Sequence, residues 1–227
     1  MKSKLFPIFL TLILIITGGS IVYLTNSRES REVVSLSTSS LDLLVLKAEK
    51  LIENESNNIS DHLTLASLYF QKIRETGDVS YYKKIENLLT KAETLNPNDS
   101  NIFSVKASLE IGRHNFKNAL ELINKAISIN QTVAVYYGIK GDAELELGNY
   151  DDAVKSFQKM VDLRPNFGSL SRIAYVREIY GDIPGAIKSL DEAISAGSSY
   201  NENIAWAYAE KGKLYIRSDL MNSKDEF

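Results

Sequence analysis

A stretch near the middle of this chain is written twice. "AELELGNYDDAVKSFQKMVDLRPN", from Ala143 to Asn166, keeps the residue classes and order of "SLEIGRHNFKNALELINKAISIN", from Ser108 to Asn130. Gly141 follows Ala107 by 34 residues, and the same spacing separates Tyr150 from Phe116, Ala153 from Ala119, Phe157 from Ile123 and Met160 from Ala126. A fixed period of that length is the signature of stacked helix-turn-helix units, each an antiparallel pair that cannot bury its apolar faces alone. Small residues at Ala107 and Gly141 let the first helix of a unit approach the second, and Ala119 and Ala153 do so from the other side. The spacing predicts an all-α repeat solenoid.

The residues in this register resemble the tetratricopeptide repeat family. The unit from Ala134 to Phe167 carries Tyr137, Gly141, Gly148, Tyr150, Ala153, Phe157 and Pro165 at the family's positions, with Met160 where alanine is usual. The unit from Ser100 to Val133 carries Phe103, Ala107, Phe116, Ala119 and Ala126, but His114 replaces the turn glycine and Gln131 the proline. Lys106 and Lys140 stand where the family usually has leucine. A lengthened unit over 59–99 follows from Ala66, Tyr69, Gly77, Leu89, Ala92 and Pro97, and one over 168–200, a residue short, from Ala174, Gly181, Ile183, Ala186, Leu190 and Ala193. The segment 41–54 reads as a lone second helix ahead of these units. The segment 203–217 reads as a lone first helix behind them, with Tyr208 and Gly212 matching Tyr137 and Gly141, and 218–227 as a tail. The solenoid is thus expected over 41–217.

Ahead of it, "LFPIFLTLILIITGGSIVYL" from Leu5 to Leu24 holds no charge, and twenty helical residues match the roughly 30 Å core of a bilayer. Lys2 and Lys4 precede it, so residues 1–24 read as a transmembrane signal-anchor with the N-terminus cytoplasmic and the solenoid outside the membrane. The alternative is a signal peptide cut before Ser20, giving a soluble periplasmic or secreted protein. Residues 25–40, rich in Ser and Thr without a helical stripe, read as a flexible linker.

A formal charge of -3, with no basic run longer than a dipeptide after the N-terminus, argues against nucleic acid as a partner. The absence of cysteine excludes disulfides, thiol catalysis and thiolate metal sites. Glu110 and His114 share a helical face, but a third His or any Cys to complete a metal site is missing. Asp151 and Asp152 open a second helix, where carboxylates favour the positive end of its dipole. The Asn-x-Ser/Thr sequons at Asn54, Asn58, Asn98 and Asn130 matter only in a host that glycosylates exported proteins. No cofactor, metal or catalytic set is therefore assigned. An enzyme or cofactor-carrying subunit remains the alternative from another class.

The resemblance implies a scaffold that binds another protein. In the family the concave groove is lined by first-helix residues, which map here to Asn101, Ser104, Ser108 and Ile111, then Val135, Gly138, Asp142 and Leu145, then Ser171, Tyr175 and Glu178. The subclass that grips C-terminal carboxylates uses groove Lys and Asn, and those places carry Ser104, Ser108, Gly138 and Asp142. An extended or helical partner segment with apolar anchors fits this mixed lining better than an acidic tail. The last helix gathers Trp206, Tyr208, Leu214, Tyr215 and Ile216, more than one helix packed on one side can bury. Trp206 heads this candidate end patch, for a partner or for self-association through the C-terminal helix.

Overall fold

The computed structural model describes residues 40–53, 56–198 and 201–222, and separately 16–17 and 20–21. Those last four form a two-residue antiparallel pair, β1 (Ile16–Thr17) with β2 (Ser20–Ile21), Ile16 opposite Ile21 and Thr17 opposite Ser20. These four residues are paired as strands, where a helix is expected from the hydropathy of the segment. The rest of the expected span from Leu5 to Leu24, and the linker through residue 39, lie outside the described residues. No helix among the described residues is long and apolar enough to cross a membrane.

From Ser40 onward the described residues form ten helices. They are α1 (Ser40–Glu53), α2 (Ile59–Thr76), α3 (Tyr81–Leu95), α4 (Ser100–Gly112), α5 (Phe116–Ile129), α6 (Ala134–Glu146), α7 (Tyr150–Leu163), α8 (Phe167–Ile179), α9 (Ile183–Ala196) and α10 (Asn201–Asn222). Each of α2, α4, α6 and α8 packs on the helix that follows it, so the repeat units are four first-helix and second-helix pairs. The extra length expected in the first unit goes mainly into α2, which runs 18 residues where α4, α6 and α8 run 13. The connection 164–166 is one residue shorter than 96–99 and 130–133, so the contraction read from the spacing sits between α7 and α8. Helix α10 runs to Asn222, five residues past the expected end of the last helix.

Small residues set the helix separation. Ala107, Ala119, Ala126, Ala153, Ala186 and Ala193 are all completely buried. A Cβ at Gly141 would lie 2.4 Å from the Phe157 ring, so that glycine admits the ring at the crossing of α6 and α7. The apolar interior is a row of clusters, each bridging neighbouring helices, as a quasi-one-dimensional solenoid requires.

The turns inside the last three units are made alike. Asn115 N–H donates to Glu110 C=O (2.9 Å), Asn149 N–H to Glu144 C=O (2.8 Å) and Asp182 N–H to Arg177 C=O (2.8 Å). This six-to-one bond closes a helix whose next residue is left-handed, which favours glycine. Gly148 and Gly181 occupy that place with φ of 82° and 80°, whereas His114 takes it with φ of 60°. A side chain there costs about 1 kcal/mol, partly offset by the edge-on contact of His114 with Phe116. His114→Gly should therefore raise stability by about 0.5–1 kcal/mol, read as a higher urea midpoint with unchanged slope.

The lysines at the leucine positions are paired. Lys106 forms an ion pair with Glu93 of α3, and Lys140 lies 3.6 Å from Glu144, which also accepts from Ser156 Oγ at 2.6 Å. Tyr136, one residue before the matched Tyr137, is the buried aromatic of α6, and its hydroxyl donates to Asn101 Oδ1 (2.8 Å). Tyr137 is half-buried and donates to the Gln131 carbonyl.

Candidate functional site

Helix α4 packs against both α2 and α6, but α6 and α8 have no comparable backbone contact. The space between them is spanned by side chains. Arg172 of α8 donates from Nε to Asp142 Oδ1 (2.8 Å) and from Nη2 to Asp142 Oδ2 (2.6 Å), while its Nη1 donates to the Gly168 carbonyl (3.1 Å). The fork geometry of guanidinium on carboxylate fixes both groups and cancels their charge. Burial works against the charge on Arg172, but the hydrogen bonds to Asp142 and the attraction of its negative charge together outweigh it and hold the guanidinium above its usual pKa.

This ion pair borders a cavity of about 880 Å³. Phe167, Ser171 and Tyr175 line it from α8, Glu202, Asn203 and Trp206 from α10, and Gln71, Arg74 and Glu75 from α2. The curl of the solenoid thus brings α2 and α10, far apart in sequence, around one concavity. Phe167 and Trp206 meet edge-on with centroids 6.5 Å apart, and Tyr175 and Trp206 are each about half exposed. A neutralised pair, aromatic walls and charges of both signs at Arg74, Glu75 and Glu202 suit a ligand with apolar anchors rather than one of strong single charge.

Of the residues mapped to a groove by the sequence, Asp142, Ser171 and Tyr175 meet here, and Trp206, expected to head an end patch, joins them in the cavity. The others stand elsewhere. Helix α4 contributes none of the lining: Asn101 accepts from Tyr136, Ser104 is buried, Ser108 donates to the Ser104 carbonyl and Ile111 packs on the core. Val135 is exposed outside this cavity, Gly138 is buried beneath Met160, and Leu145 packs on the Ala153–Phe157–Val176 cluster. Glu178 accepts from Arg217 of α10 at 2.6 Å. Glu110 is held by Asn115 (2.6 Å), Asp151 accepts from Tyr180 (2.6 Å) and Asp152 pairs with Lys155 (2.8 Å).

The α2 side of the cavity and Arg172 were not reached by sequence reasoning. A signal for Arg172 existed: it stands 30 residues after Asp142, one repeat less one helical turn. Opposite charges at that interval can meet on neighbouring first helices.

Comparison with known proteins agrees with this architecture. Residues 134–167 match the family model described as tetratricopeptide repeat. Curated protein sequences give no match. A chain of the APC/C hetero-tetramer Cut9-Hcn1 is similar with a TM-score of 0.66 at 16% identity, over 81% of this chain and 35% of that one. TTC0263, a thermophilic TPR protein of Thermus thermophilus, has a TM-score of 0.63 at 15% identity, over 78% of this chain and 91% of that one. Yeast Tom70 has a TM-score of 0.57 at 17% identity, over 79% and 37%. The fold is therefore an all-helical solenoid of the tetratricopeptide-repeat type, with one repeat, residues 134–167, matched to that family by its own sequence.

Proposed function

We propose that this protein is a non-catalytic adaptor that holds a segment of another protein in the concavity between α2, α6, α8 and α10. The observation that carries the reading is the joining of half-exposed Tyr175 and Trp206 with a neutralised Arg172–Asp142 pair in one cavity of about 880 Å³. Rigid aromatic side chains beside a fixed polar group are the usual anchors of a protein interface. Solenoids of this type in an assembly such as the Cut9-Hcn1 hetero-tetramer support the same class of role. The apolar segment from Leu5 to Leu24 anchors the adaptor in the cell membrane, with the solenoid outside.

Selection of displayed peptides on the wild-type chain supplies ligands for the test. Tyr175→Ala should weaken the selected peptides about 30-fold, the loss expected of an interface anchor, with an unchanged helical spectrum. Wild-type affinity in both Tyr175→Ala and Trp206→Ala would move the site off this face. Anchoring is read separately by membrane fractionation with an intact mass. Retention of Met1 in the membrane fraction supports it, and a soluble chain beginning at Ser20 overturns it.

A further inference from the structure

The two ends of the solenoid are unlike, and each exposes what a complete unit buries. Helix α1 has 14 residues, the length of second helices α5, α7 and α9. Its buried stripe Leu41, Val45 and Ala48 aligns with Ile85, Leu89 and Ala92 of α3. That alignment sets Leu44 at the place of Leu88, Leu122, Ser156 and Ser189. In the α6–α7 unit this place meets the unit's own first helix, where Ser156 donates to Glu144. Leu88 is 7% exposed, but Leu44 is 50% exposed, because among the described residues no first helix precedes α1.

Helix α10 is the converse. Lys211 pairs with Asp191 of the preceding second helix, as Lys106 pairs with Glu93 of α3 one turn further along, and Lys211 precedes Gly212 as Lys106 precedes Ala107 and Lys140 precedes Gly141. Ala207 and Leu214 face α9 and are buried. Gly212 then corresponds to Gly141 and Tyr215 to Glu144. A Cβ at Gly141 would strike Phe157, yet one at Gly212 would meet nothing within 4 Å. Tyr208 and Ile216, on either side of Gly212, are 58% and 64% exposed. Among the described residues no second helix covers this face.

We propose that copies of this chain associate head to tail, α1 of one copy seating on the Tyr208–Gly212–Tyr215 face of α10 of the next and completing a divided helix pair. The occupant is a second copy because, among the described residues, α1 is of the class of helix missing beside α10 and α10 is of the class missing beside α1. The contact corresponding to Ser156–Glu144 becomes Leu44 against Tyr215, so the polar pair of a complete unit is replaced by an apolar one on both sides. Such an interface is heterologous, and it leaves one α1 and one α10 face open on every growing assembly. The groove reading does not enter this inference, since the faces differ.

The chain contains no cysteine, so single thiols can be introduced cleanly. Full-length Leu44→Cys and Tyr215→Cys variants, carrying tags of different mass, are treated in mild detergent with a short bis-maleimide, alone and mixed. A cross-linked dimer of mixed composition should form in the mixture and in neither variant alone, and the double variant should give a ladder of higher species. Cross-linking of Tyr215→Cys by itself would indicate α10 against α10 and overturn the proposal. So would the absence of any product in the mixture from variants with wild-type circular dichroism. Ile216→Cys replaces Tyr215→Cys if the latter misfolds. Gly212→Arg should abolish the concentration-dependent rise in mass by light scattering without lowering the unfolding midpoint measured at dilutions where the wild-type chain is monomeric. Retention of that rise would equally overturn it.

Discussion

Gly141→Leu should lower the stability of the solenoid by about 3 kcal/mol, the upper part of the usual range for overpacking a core. The added Cβ alone would stand 2.4 Å from Phe157 Cε1 and 2.6 Å from Cδ1. The Phe157 ring is only 1% exposed, so it cannot swing aside into solvent, and α6 and α7 must separate instead. Removing a glycine from a helix interior gains about 1 kcal/mol, which is too little to compensate. Gly212→Leu, measured at dilutions where the chain is monomeric, is the control, because it makes the same chemical change in α10 with nothing of its own chain within 4 Å of the new Cβ. Urea unfolding followed by circular dichroism should show a large fall in midpoint for the first variant and none for the second. Equal midpoints would show that the Gly141–Phe157 contact does not set the helix separation.

A second large effect is expected at Met160, the residue where the best-matching unit departs from the family pattern. Met160→Ala should cost about 2–5 kcal/mol, the range for truncating a buried methionine. The side chain fits because Gly138 lies opposite: a Cβ there would be 2.8 Å from Met160 Sδ. In the neighbouring units the sizes are exchanged, with Ser104 opposite the place of Ala126 and Ser171 opposite that of Ala193, all four buried. Adding Gly138→Ser to Met160→Ala rebuilds the pair used by those units. The double variant should be more stable than Met160→Ala by about 1 kcal/mol, although Gly138→Ser in the wild-type background is destabilising. Such a change of sign is a coupling energy of the kind a double-mutant cycle isolates. A further loss in the double variant would mean that the exchange of sizes is not compensation.

What could be read from the chain, and what could not, divides along a physical line. The spacing of Ala107, Gly141, Ala153 and Phe157 carried the helix pairs because contacts within a unit join residues close in sequence and recur with the period. The turn at His114 was legible for the same reason, as a place where Gly148 and Gly181 stand in later units. The lone helices at either end followed from counting units. Their exposed leucine and tyrosine faces, by contrast, became visible only once the buried stripes of α1 and α10 were placed.

The sequence by itself determined that this is a helical solenoid, which residues cross within each unit and where its turns fall. Only the tertiary structure decided where the concavity lies and what lines it. In a solenoid that depends on the small rotation from each unit to the next, accumulated over several of them. No local pattern encodes the sum of those rotations, which is why α2 and α10 meet around one cavity while α4, between them in register, contributes nothing to its lining.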